Sequence, residues 1–256
     1  MNTADQVDRA EAFRQLHVRG KPIVLFNIWD AGSAKAVAAS GARALATGSW
    51  SVAAAFGFED GEHVPLELVL ENVQRIIRST DLPLTVDLES GYGADPRGVG
   101  QTLSRAISAG AIGCNLEDSV PATGQLRDIA DQTARLEQAR AAAGTARVPA
   151  FVNARTDVFL RTPADQHEAL VPAALERARA YAAAGADSLF VPGLADERLI
   201  GRVVAESPLP VNIMASDATP PLARLAALGV ARVSHGPGPY RRMMRALEEA
   251  ARAALT

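Results

Sequence analysis

Three short stretches place side chains that could do chemistry two residues apart: Asp87-Leu88-Glu89, Asn115-Leu116-Glu117-Asp118 and Asn153-Ala154-Arg155. If each closes a β-strand, alternation puts Asp87 with Glu89, Asn115 with Glu117, and Asn153 with Arg155 on one face. Carboxylates converging from neighbouring strands with no lysine nearby call for a cation. Oxygen-only ligands favour Mg2+ or Mn2+, with water completing the shell. Metal binding is therefore expected of Asp87, Glu89 and Glu117, because like charges gathered at one point repel without a cation. Asp60, in a Glu59-Asp60 loop, and Asp118 read as well as solvated loop acids or helix caps. Arg155 can hold a carboxylate or phosphate through two parallel hydrogen bonds. A salt bridge to Asp157 or to one of the acids is the alternative, and the two are compatible. Further on, Asn212 and then Ser234-His235 stand at the ends of the last two strand-like runs. His235 is the best placed of the four histidines to give or take a proton near neutrality.

Composition excludes other chemistry. The two lysines, Lys21 and Lys35, lie early in the chain, so a Schiff base in a pocket is not expected. The histidines, His17, His63, His167 and His235, form no His-x-x-x-His, and a single cysteine forms no Cys-x-x-Cys, so a zinc site of ordinary spacing is not expected. Cys114, between Gly113 and Asn115, reads as packing. A net charge of −3 gives no support to nucleic-acid binding. No apolar run reaches the ~18 residues of a membrane helix. The N-terminal stretch has no apolar core of a signal peptide, and one cysteine fits a cytoplasmic protein.

The elements that must position these residues follow one repeated pattern. In AASGARALATG (38–48), SAGAIGCNLE (108–117), AAGADSLFVP (183–192) and ALGVARVSHG (227–236), a helix-like stretch ends in Gly41, Gly110, Gly185 or Gly229 and a strand-like run follows. Glycine there is the left-handed residue that stops a helix. The other strand-like runs, 23–26, 84–88, 150–152 and 211–213, each follow a proline: Pro22, Pro83, Pro149 and Pro210. Amphipathic stretches at 33–40, 65–79, 96–109, 127–143, 167–184, 195–206, 219–228 and 239–254 lie between or after them. Eight strand–helix alternations in 256 residues predict an α/β chain, a single (β/α)8 TIM barrel over 1–256. A doubly wound sheet is second, and no G-x-G-x-x-G supports it. In a barrel, the strand-end residues above meet at one mouth.

These residues resemble the isocitrate lyase/phosphoenolpyruvate mutase superfamily. The resemblance runs from Phe26-Asn27-Ile28-Trp29-Asp30-Ala31 to Ser234-His235-Gly236-Pro237, nearly the whole chain. Its most specific pieces are Asp87-Leu88-Glu89-Ser90-Gly91-Tyr92-Gly93, with Glu89 where aspartate is usual, Asn115-Leu116-Glu117-Asp118, and Asn153-Ala154-Arg155-Thr156-Asp157. The resemblance implies a barrel whose last helix is exchanged between subunits of a homo-dimer or homo-tetramer. It implies Mg2+ held by Asp60, Asp87, Glu89 and Glu117, partly through water, and a substrate-oxygen clamp at Gly48, Ser49, Trp50 and Arg155. From their places at the strand ends, Asp87 and Asn212 are expected to face substrate as well, and Arg155, Glu117 and His235 to take part in catalysis, with a rim histidine that only caps the following turn as the alternative for His235. The substrates it implies are small 2-oxo or 2-hydroxy carboxylates, and most members pass through a metal-bound enolate. The lyases acting on isocitrate or methylisocitrate carry a Lys-Lys/Arg-Cys-Gly-His loop after the Glu-Asp pair. Here residues 119–126 read Ser-Val-Pro-Ala-Thr-Gly-Gln-Leu. They also lack the asparagine of the phosphonate mutases. A magnesium-dependent lyase cleaving a C–C bond of an oxaloacetate-like acid is therefore expected. The alternatives are phosphonopyruvate-type C–P chemistry, 2-methylisocitrate-type cleavage, an inert 2-oxo acid-binding homologue, or a phosphosugar barrel using the 234–238 turn.

Overall fold

Prolines and glycines punctuate the chain where strands must start. The structure, a computed structural model, describes residues 3–255. The reading of one domain over 1–256 thus includes three end residues outside those described. Three strands, β1 (Ile23–Leu25), β3 (Leu84–Asp87) and β7 (Val211–Met214), begin immediately after Pro22, Pro83 and Pro210. A fourth, β5 (Phe151–Arg155), begins two residues after Pro149. The remaining four, β2 (Leu45–Ala46), β4 (Gly113–Glu117), β6 (Ser188–Phe190) and β8 (Arg232–Ser234), follow the helix-stopping glycines. Gly41, Gly110, Gly185 and Gly229 have φ of 88°, 107°, 89° and 88°, the left-handed conformation glycine adopts without steric cost.

All strand pairs are parallel, in the order β1-β8-β7-β6-β5-β4-β3-β2. The ring closes through a parallel bridge between Ile28 and Thr47, where Ile28 N donates to Ala46 O at 2.9 Å and Gly48 N to Ile28 O at 3.2 Å. This is the (β/α)8 barrel expected from the alternation. The outer helices are α2 (Ala31–Ala39), α4 (Leu66–Ile77), α5 (Pro96–Ser108), α6 (Ile129–Ala146), α7 (His167–Ala183), α8 (Glu197–Glu206) and α9 (Leu222–Ala227). Helix α1 (Thr3–Gln15) lies against the N-terminal ends of the strands: Gln6 Nε2 donates to Ile107 O and Ala111 O at 2.8 Å, and Phe13 packs edge-on against Phe151.

One element departs from expectation, and the last helix, expected at 239–254, lies where it was predicted. Helix α3 (Ser49–Phe56) follows β2 directly, where only a loop was expected before Asp60. Its run SWSVAAAF has no capping side chain and buries Ser51, Val52 and Ala53 together, so it lacks the one-sided apolar stripe that reveals a helix. Helix α10 (Gly238–Leu255) buries only Pro239, and every residue from 241 to 255 is exposed. Beside β1, a groove of about 600 Å³ lined by Val24, Phe26 and Val37 is open, with Val24 and Phe26 more than one third exposed.

Candidate active site

Register decides which strand-end residues meet. Asp87 lies opposite Asn115, Asn115 opposite Asn153, and Glu117 opposite Arg155. Glu117 and Arg155 therefore stand one layer nearer the mouth than Asp87. Strand β3 ends at Asp87, and Glu89 has φ 52°, so it sits in a turn and not on the strand face where alternation put it. The turn still returns its carboxylate to the acids.

Glu89 is buried, yet both oxygens are engaged. Gly61 N (2.8 Å) and Glu62 N (2.6 Å) donate to Oε2, and the Tyr92 hydroxyl donates to Oε1 at 3.0 Å. Glu62 reciprocates, accepting from Ser90 Oγ at 2.7 Å and Tyr92 N at 2.8 Å. This interlock ties the Asp60 loop to the turn after β3. Glu62, Glu89 and Tyr92 are three of the four non-glycine residues with positive φ among those described, so backbone strain concentrates at this point. Burial, then the charges of Asp60 and Asp87, push Glu89 up to about 7. Burial and the charge of Asp87 also push Asp60 above its ordinary range, against hydrogen bonding from Ser49. Asp87 accepts only weakly, from Ser49 N at 3.2 Å and Glu89 N at 3.4 Å.

Arg155 is the hub of the other side. Its Nη1 pairs with Glu117 at 2.7 Å, while Nε and Nη2 grip Asp157 at 2.6 and 2.9 Å. Both anticipated pairings are thus present at once. Burial drives Glu117 well above the usual carboxylate range, with Arg155 opposing it. Asp157 is fixed in turn by the Ser119 hydroxyl at 2.7 Å and by its own N–H on Asp118 at 3.0 Å. Asp118 is not the solvated acid it could have been. It is fully buried and takes Arg177 at 3.0 Å and Tyr181 at 2.7 Å, because residues 117 and 118 point to opposite sides of the strand end.

The mouth is a cavity of about 340 Å³ lined on its polar side by Gly48, Ser49, Asp60, Asp87, Asn115 and Arg155, and on its apolar side by Leu160, Phe190, Pro192, Met214 and Pro237. Trp50 and Arg241 close the lip, with the guanidinium 4.4 Å over the indole ring. Neither lysine and none of the four histidines lines this cavity. His235 was expected at the rim, but Ser234 takes the inward position and the His235 ring packs 5.1 Å from Phe26. Asn212 lies fully buried below the floor, hydrogen-bonded to Ser234 at 3.2 Å. The glycines of Gly91-Tyr92-Gly93 serve packing: a Cβ on Gly91 would meet Val99 at 2.8 Å and one on Gly93 would meet Val99 N at 2.4 Å. Cys114 is buried and its thiol is pushed up to about 12 by burial, in keeping with a packing role. Sequence reasoning missed Glu62 and Tyr92. The Asp60-Gly61-Glu62 turn, acids around a glycine, was the available signal.

Among the described residues, no group of three or more His, Cys, Asp or Glu side chains is gathered closely enough to hold a metal by itself. The residues nonetheless fit a hard divalent ion bound partly through water. All the donors are oxygen, and Asp60 and Glu89 are desolvated against the charge of Asp87 without an ion-pair partner among the described residues, Arg155 being engaged by Glu117 and Asp157. A hole of about 10 Å³ beside Asp87 and Glu89 is walled largely by Val52, Val64, Val69, Val73 and Val86, so it reads as a packing void and not as the ion's seat.

Residues 13–255 match the family model of phosphoenolpyruvate phosphomutase. The 2-methylisocitrate lyase of Salmonella typhimurium is 31% identical over 248 residues, 93% of this chain and 82% of that protein. A crystal structure from Burkholderia cenocepacia J2315, provisionally named a phosphonomutase, is 56% identical and superposes with a TM-score of 0.95 over 97% of this chain and 99% of that one. A phosphonopyruvate hydrolase whose structure holds oxalate and Mg2+ shares the fold, with a TM-score of 0.82 at 22% identity over 94% of this chain and 84% of that one. With the barrel, the acid-lined mouth and the family match in agreement, the chain belongs to the phosphoenolpyruvate phosphomutase family, within the isocitrate lyase/PEP mutase superfamily of lyases and mutases.

Proposed function

We propose that this protein is a magnesium-dependent lyase that cleaves a C–C bond of a small 2-oxo or 2-hydroxy dicarboxylate resembling oxaloacetate, releasing an enolate. The observation that carries this reading is the mouth itself. Two carboxylates, Asp60 and Asp87, face two guanidiniums, Arg155 within and Arg241 at the lip, with no lysine, thiol or imidazole on the cavity wall. The 119–126 loop supports it. That loop folds onto itself, with Val120 N donating to Gln125 O at 2.8 Å, and carries no cysteine, lysine or histidine for the acid–base step of an isocitrate-type cleavage.

Asp60 and Asp87 would hold Mg2+ (or Mn2+) directly or through water, with Glu89 and Glu117 behind them. Bound there, the ion would polarise the substrate's 2-oxo oxygen and stabilise the charge that bond cleavage leaves on it. The chain's own part is orientation and charge. Arg155, braced by Glu117 and Asp157, presents its remaining N–H groups to a substrate carboxylate. The N-terminus of α3 would turn the positive end of a helix and the Trp50 N–H toward the same anion, Gly48 N being spent on Ile28 O and Ser49 N on Asp87. Arg241 has no carboxylate partner among the described residues and meets the second carboxylate at the lip. The apolar wall excludes water from the departing end. With His235 turned away, the proton that quenches the enolate comes from water.

Assaying a panel of 2-oxo and 2-hydroxy diacids with and without Mg2+ tests this. Magnesium-dependent release of pyruvate, glyoxylate or oxalate is expected; no turnover of any diacid would leave an inert binding homologue. The likeness to the provisionally named phosphonomutase favours C–P chemistry as a second reading, and phosphonopyruvate in the same panel separates the two. We further propose a cytoplasmic homo-oligomer, dimer or tetramer, in which α10 leaves its own barrel and covers the Val24–Phe26 groove of a second copy. Leu247→Glu should then give a monomer by sedimentation, whereas an unchanged assembly would sink the exchange.

A further inference from the structure

Beneath the mouth lies a charge that the reaction above does not use. Arg232, the first residue of β8, is fully buried inside the barrel. It forms no ion pair with any described carboxylate. Its Nε donates to Ser234 Oγ at 3.1 Å and its Nη2 to Asn115 Oδ1 at 3.3 Å, while Nη1 has no partner. Burial pulls the guanidinium down to about 9, and the only charge opposing this is Asp87, which acts from above without contact. On the side of α1, His17 is held neutral, at about 3, by its own burial and by the Arg232 charge, so nothing below compensates the cation. A buried charge without a partner is costly, and an apolar side chain of the same volume would fill the barrel at lower cost.

The two bonds Arg232 makes explain what the cost secures. Asn115 and Ser234 both line the floor of the cavity. Asn115 Oδ1 accepts from Arg232 and also from Asn153 Nδ2 at 2.8 Å. Two donors converging on one end of an amide require that end to be the oxygen. The amide nitrogen is then left facing the cavity with no protein partner. Without Arg232 only the neutral donor Asn153 Nδ2 would remain on that oxygen, and the amide would lose the charged half of what orients it.

We propose that Arg232 is a positioning residue: from below the floor it fixes Asn115 and Ser234 so that the mouth offers hydrogen-bond donors and an uncompensated positive charge to an anionic substrate. The inference rests on the metal-and-acid reading of the site, and oxalate with Mg2+ separates the two. Calorimetry on the full chain should show oxalate binding wild type only when Mg2+ is present. Arg232→Met should weaken oxalate by about tenfold or more, the loss of a charge-assisted arrangement. Its Mg2+ affinity without oxalate should stay within about twofold and its Tm should equal or exceed that of wild type, because an isolated buried charge is replaced by matched apolar volume. Arg232→Lys, which keeps the charge and a donor, should recover most of the oxalate affinity. Should Arg232→Met fail to fold, the neutral Arg232→Gln takes its place with the same expected direction. Oxalate binding at wild-type strength in the neutral variant, or a lysine variant no better than methionine, overturns the role of Arg232 alone. Wild type that ignores oxalate even with Mg2+ overturns the site reading and this inference together.

Discussion

Glu117 and Asp118 are neighbours in the chain and end in opposite worlds. Asp118 turns outward between β4 and α7, where Arg177, Tyr181 and the Asp157 N–H satisfy it. Asp60 and Glu89, on the inward side with Asp87, are pushed upward by burial and by neighbouring acids, and neither has an ion-pair partner among the described residues; the Arg155 guanidinium reaches Asp60 only through space, being spent on Glu117 and Asp157. Burial is common to both groups, so burial does not distinguish a structural acid from a functional one. What distinguishes them is whether the fold supplies the counter-charge or leaves it to be bound.

Substitution can break this contrast most directly. Asp118→Ala leaves the partly buried Arg177 without its carboxylate and the Tyr181 hydroxyl and Asp157 N–H without their acceptor, and should cost about 3 kcal/mol of stability, measured by urea unfolding. Asp87→Ala relieves Asp60 and Glu89 of a like charge but also removes the charge that offsets buried Arg232, so it should change stability by less than about 1 kcal/mol, yet should abolish Mg2+ binding in calorimetry. If the two variants lost stability alike, the distinction would fail. A smaller effect is expected at the hub between the regions. Arg155→Lys keeps the charge but not the two-pronged grip, and oxalate affinity should fall by about 1.5–3 kcal/mol while Mg2+ binding holds.

Proton linkage sharpens the comparison further. Glu89 titrates at about 7 in the folded chain against 4.5 when unperturbed. The folded state therefore keeps a proton that the unfolded state has released. The stability this proton confers is full below about pH 4.5 and is lost as pH rises through about 7. Metal-free protein should weaken over that window, and Mg2+ should reverse the trend. Glu89→Gln should flatten the metal-free slope, and a slope unchanged in that variant would assign the linkage elsewhere. The smallest effect is expected at His235. Its ring stands beside Phe26 outside the cavity, so His235→Asn should alter turnover of a genuine substrate by less than about threefold; a loss of about 10²-fold would restore it as a general acid.

Periodicity, prolines and glycines specified the barrel. These are local signals: a missing N–H fixes where a strand starts, and a left-handed glycine fixes where a helix stops. The alternation also carried Asp87, Glu117 and Arg155 to one mouth, because facing within a strand depends only on counting. Counting failed where the chain leaves its strand. Glu89 lies past the end of β3, in a left-handed turn held by Glu62 and Tyr92 from another segment. His235 and Asn212 lie off the cavity wall for a related reason, since a ring of eight strands admits only some strand-end side chains to its cavity, and register across the barrel decides which. Helix α3 had no stripe to reveal it, because small residues are buried on more than one face. Arg232 reads in the sequence as one more basic residue. Its unpaired burial beneath Asn115 exists only once β8 and β4 face each other across the barrel, a contact between residues 117 positions apart that no local pattern encodes.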